Sequence, residues 1–189
     1  GRKRWFVFAA FLLLVVLEQG IKLIIKAHYM NYDKKLIWDF LHFKPLINDK
    51  LSWINSSLSL GLGFITQVTI NILAILIINF FYRYYASLRG RTVFGTTAFV
   101  IINAGAFCSL IDKIFWGGSL DYIKYTGLLG GYTFDLKDCY ITVFEVMFVL
   151  GFILNMLKDR SYNKFLGSMT FKKFMLFIRD DIEAVFKRS

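Results

Sequence analysis

Asp112, Asp121 and Asp138 stand within one stretch of an otherwise lipid-soluble chain. Asp112 closes an uncharged apolar run, Asp121 follows in the next loop, and Asp138 opens the last apolar run. Ionised carboxylates are costly beside hydrocarbon, so acids at the ends of membrane segments are functional candidates. Two of them facing each other would make a pair that activates water, because adjacent carboxylates cannot both ionise cheaply and one keeps a proton. Other reactive side chains form no recognisable site. Cys108 and Cys139 lack CxxC spacing, His28 and His42 lack a paired ligand motif, and no metal site is expected. No GxSxG elbow, Ser-x-x-Lys pair, GxGxxG loop or Walker pattern stands in the sequence. The two cysteines read as small apolar residues rather than a disulfide.

The elements that must position these acids are membrane helices. Hydrophobic residues make up 57% of the 189 residues, and 21 Phe, 10 Tyr and 4 Trp exceed what a small soluble core would hold. Four segments reach the roughly 20 residues that a hydrocarbon crossing takes: Trp5 to about Ile25, Leu60 to Tyr82, Val93 to Ile111, and Cys139 to Leu157. Pro45, the only proline, lies outside all four, so no helix has to be kinked by one. The net charge of +10 falls in short clusters beside apolar runs, which argues for orientation signals rather than nucleic acid. Arg2, Lys3 and Arg4, then Arg83, Arg89 and Arg91, then Lys158, Arg160 and Lys164 share one side if four crossings alternate. Both termini are then cytoplasmic, and the loops from Lys26 to Ser59 and from Asp112 to Asp138 face outward.

The basic start followed by Glu18-Gln19, without a small-x-small cleavage pattern, reads as an uncleaved anchor. The first outward loop mixes aromatics and aliphatics without a clean period. It reads as an interfacial cap with a short strand at Leu51 to Ile54 and with Trp38 and Trp53 at headgroup level. From Phe165 onward, Phe171, Phe174, Met175, Ile178, Ile182 and Val185 recur at helical spacing among Lys172, Lys173, Arg179 and Asp181. That periodicity suits an amphipathic helix on the inner membrane surface and equally one packed on the bundle end. The expected fold is an all-α membrane protein: four transmembrane helices in residues 1–164, a small extracytoplasmic cap with room for strands, and a C-terminal amphipathic helix in residues 165–189.

The stretch bearing the aspartates carries a resemblance. Ala104-Gly105-Ala106-Phe107-Cys108-Ser109-Leu110-Ile111-Asp112-Lys113 resembles the Gly-Gly-Ala-x-Gly-Asn-Leu-x-Asp-Arg block of the bacterial lipoprotein signal peptidases, the signal peptidase II family. Gly117-Gly118-Ser119-Leu120-Asp121-Tyr122 resembles that family's Gly-x-Val-x-Asp-Phe, and Phe134-Asp135-Leu136-Lys137-Asp138 its Phe-Asn-x-Ala-Asp. Upstream, Leu17-Glu18-Gln19-Gly20-Ile21-Lys22 is similar to Asp-Gln-x-x-Lys, and Asn55-Ser56-Ser57-Leu58-Ser59-Leu60-Gly61 to Asn-x-Gly-x-Ala-Phe. The likeness covers roughly residues 5 to 157.

The resemblance implies an aspartic peptidase that removes signal peptides from diacylglyceryl-modified prolipoproteins, with Asp121 and Asp138 as catalytic pair. It implies a monomer among membrane lipids of the bacterial inner membrane, with the site at the outer leaflet boundary. No cofactor is required, since water is the nucleophile. Asn55 would bond near the substrate backbone, or cap a helix. Asp112 and Lys113 would position the loop of Asp121, or form a solvated helix end. Glu18 and Lys22, beside Gln19, have the spacing of an intrahelical ion pair. The chain departs from the pattern at Glu18 for Asp, Ser57 for Gly, Ser109 for Asn, Lys113 for Arg, Asp135 for Asn and Lys137 for Ala. Asp135 adds a carboxylate that would raise the pKa of Asp138 or compete with it. Those departures keep a non-catalytic lipopeptide-binding relative open. Glu145, two turns beyond Asp138 and about 10 Å deeper, is expected to face the bundle interior near Asn103. With Glu18 and Asp112 it motivates a third reading, a proton-coupled carrier.

Overall fold

A computed structural model describes residues 2–48, 61, 63–127, 131–158 and 170–187. Asn55, Trp53, Ser57 and the expected strand at Leu51 to Ile54 lie outside the described residues. The order of elements is α1 (Arg2–His28), β1 (Lys34–Ile37), β2 (Leu41–Asn48), α2 (Phe64–Arg89), α3 (Val93–Ile111), a π-helical turn (Asp112–Trp116), β3 (Ser119–Tyr125), β4 (Tyr132–Phe134), α4 (Leu136–Lys158) and α5 (Phe171–Phe186).

Among the described residues, three helical stretches are long and apolar enough to cross a membrane, Arg4–His28, Phe64–Arg89 and Val93–Trp116. Their burial is inverted relative to a water-soluble protein. On α1, Leu13 and Leu23 are 64% and 61% exposed, whereas Glu18 and Lys22 are wholly buried. An apolar outer face around a polar interior is what a hydrocarbon solvent selects, because polar groups there must find partners inside the bundle.

Helix α3 is the central element, with α1, α2 and α4 all packed against it. Its small residues permit this. A Cβ at Gly105 would meet Ile141 Cγ1 at 3.0 Å and the Lys137 carbonyl at 3.4 Å, so the glycine lets α4 approach closely just where α4 carries its polar first turn. Thr92 caps α3 by accepting the Gly95 N–H at 3.0 Å. Polar side chains join α2 to α3: the Asn71 carboxamide lies 2.9 Å from Ser109 Oγ, and Asn79 donates to Asn103 Oδ1 at 2.8 Å. Asn103 is therefore engaged by α2. Glu145 is exposed on the outer face of α4, contrary to the expectation that it turns inward. At the far end, Phe174 and Phe177 of α5 pack on Tyr84 with ring centroids 5.6 and 5.4 Å away, and Arg83 pairs with Asp181.

The cap contains strands, for which the expected fold left room. Four strands form an antiparallel sheet in the order β1-β2-β3-β4. Pro45 falls inside β2, where the register with β3 shifts between Phe43 and Leu46, and a bulge is the position at which a strand tolerates a residue lacking N–H. Ile25 of α1, with Leu120 and Tyr122 of β3, makes the small core that fastens sheet to bundle. Asp121 thus lies on a strand, opposite Leu46 in register, rather than in a free loop. Gly117, with φ +64, ends the π-helical turn and reverses the chain into β3, a conformation that favours glycine.

Candidate functional site

Four elements converge where the bundle meets the sheet. Helix α1 brings Glu18, Gln19 and Lys22; the π-helical turn brings Asp112 and Lys113; β3 brings Ser119 and Asp121; the start of α4 brings Asp135, Lys137 and Asp138. All but Gln19 and Asp138 are buried.

Lys22 holds the inner half together. Its ammonium stands at ion-pair distance from three carboxylates, Glu18 Oε1 at 2.9 Å, Asp112 Oδ2 at 2.5 Å and Asp135 Oδ2 at 2.6 Å, and donates a hydrogen bond to Asp112. The Glu18–Lys22 pair is intrahelical, as its spacing predicts, but it is also the root of a network spanning the fold. Gln19 extends it, donating to Asp112 Oδ1 at 3.1 Å while accepting from Trp116 Nε1 at 3.1 Å. Asp112 and Lys113 do not pair with each other. Lys113 instead reaches back one turn to Ser109 Oγ at 2.7 Å, and both residues are buried rather than forming a solvated helix end.

The outer half is organised by Lys137 and Ser119. Lys137 Nζ donates to Ser119 Oγ at 2.6 Å and pairs with Asp135, and it lies 3.3 Å from Asp112 Oδ2. Asp121 Oδ1 is 3.8 Å from it and Asp138 Oδ1 3.9 Å. The Ser119 hydroxyl, receiving from Lys137, is closest to Asp121 Oδ1 at 2.7 Å, with Asp135 and Asp112 at 3.2 and 3.3 Å. Asn48 on β2 and Thr133 on β4 donate to Asp121 Oδ2 at 3.4 and 3.5 Å.

Asp135 and Asp138 cap α4 reciprocally. Asp135 Oδ1 accepts the Asp138 N–H at 3.2 Å, and Asp138 Oδ2 accepts the Asp135 N–H at 3.1 Å. This is the arrangement of a capping box, and it explains why two acids three residues apart open an apolar helix. It fixes Asp138 beside Asp121 while leaving the Asp138 side chain partly open to its surroundings. The Asp138 side chain is 42% exposed against 5% for Asp121.

Two groups of three carboxylates have oxygens within 4.8 Å of one another among the described residues, Glu18 with Asp112 and Asp135, and Asp121 with Asp135 and Asp138. In both, a lysine ammonium supplies the cation that such a group attracts, Lys22 in the first and Lys137 in the second. Five carboxylates surround these two ammonium groups, an excess of negative charge that favours proton retention by some of the acids. Burial pushes Asp121 above the usual carboxylate range, against the pull of Lys137 and the Ser119 hydroxyl. Burial acts on Asp135 in the same sense, but Lys137 and Lys22 outweigh it and hold that carboxyl down at about 2. Asp135 is thus an ionised structural anion held by two lysines, rather than a competitor for the proton.

A group whose carboxyl is depressed on folding contributes stability that is complete above its unfolded pKa and fades as pH falls toward the folded value. Thermal unfolding of the protein and of Asp135→Asn, compared at successive pH values, is expected to differ most at neutral pH. The gap should close between about pH 4 and pH 2. A constant gap over that range would contradict the assignment of Asp135 as the buried anion.

Sequence reasoning placed Glu18, Gln19, Lys22, Ser109, Asp112, Lys113, Asp121 and Asp138 in or beside one site, and the structure brings them together. Ser119 and Lys137 were not among the candidates. Their signal was a Lys directly before an acid at the start of an apolar helix, and a Ser two residues before another acid on the neighbouring strand. Cys108 and Cys139 are both free thiols.

A family model described as signal peptidase (SPase) II matches residues 10–154. The lipoprotein signal peptidase of Buchnera aphidicola subsp. Acyrthosiphon pisum (strain APS) is 28% identical over 142 residues, covering 75% of this chain and 87% of that protein. The lipoprotein signal peptidase of Brucella ovis is 25% identical over 159 residues, covering 82% and 94%. Two solved bacterial membrane enzymes, both determined by the in meso method, share the fold. One aligns with TM-score 0.62 at 18% identity, covering 82% of this chain and 92% of that one; the other with TM-score 0.60 at 20% identity, covering 82% and 94%.

Proposed function

Because the chain belongs to the signal peptidase II family, we propose that it removes the signal peptide from diacylglyceryl-modified prolipoproteins, cutting before the lipidated cysteine with water activated between Asp121 and Asp138. The family makes the chain an enzyme, an aspartic-type peptidase of a membrane. The observation that carries the finer reading is the convergence of these two carboxylates, on separate elements, around one buried ammonium at 3.8 and 3.9 Å.

The pair shares one proton. Its ionised member takes a proton from water as the water attacks, and its protonated member polarises the scissile carbonyl. The two titrate together, so neither residue owns either part in the resting state. Asp138, half open, is the side from which water and substrate approach. Asp121 is held by Ser119 and by donors from β2 and β4, an orientation fixed before substrate arrives.

The membrane reading rests on the same features. Helix α4 is 23 residues long, about 35 Å, and serves as the fourth crossing beside the three apolar ones. With four crossings, the basic clusters put both termini in the cytoplasm of a bacterial inner membrane, and the carboxylates at the outer leaflet boundary. Acyl chains on the substrate cysteine then stay in lipid while its peptide bond meets water. Exposed Trp38 and Phe40, between β1 and β2, lie at that boundary. Helix α5 rests on the opposite end through Tyr84, its exposed Phe171 and Met175 facing the inner leaflet.

The test is a pair of synthetic peptides spanning a lipoprotein cleavage site, one with a diacylglyceryl-modified cysteine and one with a free cysteine, offered to the protein reconstituted in vesicles. Cleavage of the lipidated peptide alone is expected. Tight binding of the lipidated peptide without cleavage at any pH would replace the enzyme by a lipopeptide-binding relative, and equal cleavage of both peptides would remove lipid recognition from the account.

A further inference from the structure

Lys137 stands where the similar family motif has alanine, and Asp135 where it has asparagine, so this chain has placed a salt bridge inside its own carboxylate site. The ammonium is not free to leave. Ser119 Oγ at 2.6 Å, the Asp135 carboxylate and Asp112 Oδ2 at 3.3 Å hold it, and the side chain is 8% exposed. From that fixed position it lies equally far from the two acids of the proposed pair.

We infer that Lys137 is a positioning residue for Asp121 and Asp138, a buried cation that sets the pH range over which the pair carries its single shared proton. The inference rests on the reading of those aspartates as the hydrolytic pair. An ammonium about 4 Å from a carboxylate stabilises the ionised form and moves its titration to lower pH. Standing at nearly the same distance from both acids, the ammonium acts on the pair and not on one member alone. Without Lys137, the buried Asp121 and the partly exposed Asp138 beside the anion Asp135 would hold both protons to higher pH, and a doubly protonated pair has no base for water.

Other charges face the pair and bound the effect. Glu18 and Lys22 come from α1, Asp112 and Lys113 from the π-helical turn, and the neutral Tyr122, Cys108 and Cys139 from β3, α3 and α4. Lys22 is already committed to Glu18, Asp112 and Asp135. Lys113 is turned to Ser109. Lys113 also attracts Asp138, but Lys137 is the ammonium within 4 Å of both Asp121 and Asp138 among the described residues.

The experiment is a set of pH–rate profiles on a lipidated peptide in one detergent, for the protein, Lys137→Met, Lys137→Gln and Lys137→Arg. Melting temperatures verify that each variant is folded. Lys137→Gln removes the charge while keeping a donor for the Ser119 hydroxyl, so it carries the test if Lys137→Met alone does not fold. Both charge-removing variants are expected to show a profile moved to higher pH by about 1 unit, a tenfold change in proton affinity. Lys137→Arg, which keeps the charge, restores the original profile. Superimposable profiles with only a lowered rate would overturn the inference.

A second readout separates this failure from that of the enzymatic reading. The infrared band of protonated carboxyl groups is titrated in the protein and in the charge-removing variants, with Asp121→Asn and Asp138→Asn identifying the contribution of the pair. Persistence of that band to higher pH without Lys137 supports the inference even if no peptide is cut. Coincident titrations overturn it even if the peptide is cut.

Discussion

Replacing Lys22 by methionine is expected to destabilise the protein by about 3–5 kcal/mol, the cost of leaving buried charges without their partner. Methionine matches the length of the lysine stem and fits an apolar interior, so lost volume contributes little. What remains is electrostatic. Glu18, Asp112 and Asp135 each lose the ammonium that stands within 3 Å, in a position wholly removed from solvent. Adding Glu18→Gln should recover part of the loss, because an amide left alone is far less costly than a carboxylate. Unfolding in detergent, followed by tryptophan fluorescence, checks both statements. A Lys22→Met protein as stable as the parent would mean that the three acids are not held by this lysine.

The largest kinetic effect should follow Asp121→Asn or Asp138→Asn. Removing a group that moves a proton in the transition state typically costs about 10²–10⁴-fold in rate, and losing either member of a shared-proton pair removes both functions at once. The fold should tolerate either change. An Asn at 138 still offers an oxygen to the Asp135 N–H, preserving the cap of α4, and an Asn at 121 still accepts from Ser119. The loss is therefore expected in kcat, with lipopeptide binding and melting temperature close to those of the parent. A loss confined to KM would assign the residue to binding instead.

The helical frame was legible because hydrocarbon imposes a coarse rule. Apolar runs of about 20 residues have few other uses, and the runs from Trp5, Val93 and their neighbours coincide with helices of the structure. That the cap could hold strands was legible, but which residues form them was not, for a specific reason. In β3, Ser119, Leu120, Asp121 and Tyr122 are all buried, one face against the bundle and the other in the site, so the alternation that betrays a half-exposed strand is missing. In β2 the bulge at Pro45 breaks the period, and a proline argues against a strand.

The site was partly legible for the opposite reason. Acids in an apolar chain are conspicuous, and their order matched a family pattern. How they share cations was hidden, since Lys22 and Lys137 meet the same carboxylate, Asp135, across 113 residues of chain for the first and two for the second. Asp135 looked like a rival to Asp138. Contacts from two lysines make it instead the link between the inner and outer halves of the network. Glu145 failed as an expectation because helical spacing gives a phase relative to Asp138 but not the direction of the neighbouring helices. The face that continues down α4 from Asp138 turns outward by that depth.

The central claim is that Asp121 and Asp138 together hydrolyse the bond preceding a lipidated cysteine. Mass spectrometry of the products from a diacylglyceryl-modified prolipoprotein, incubated with the protein and with each Asn variant at equal folded concentration, tests it most directly. The account predicts one new amino terminus at the lipidated cysteine with the parent protein and none with either variant. A product of the same mass from Asp121→Asn or Asp138→Asn, at an undiminished rate, would contradict it.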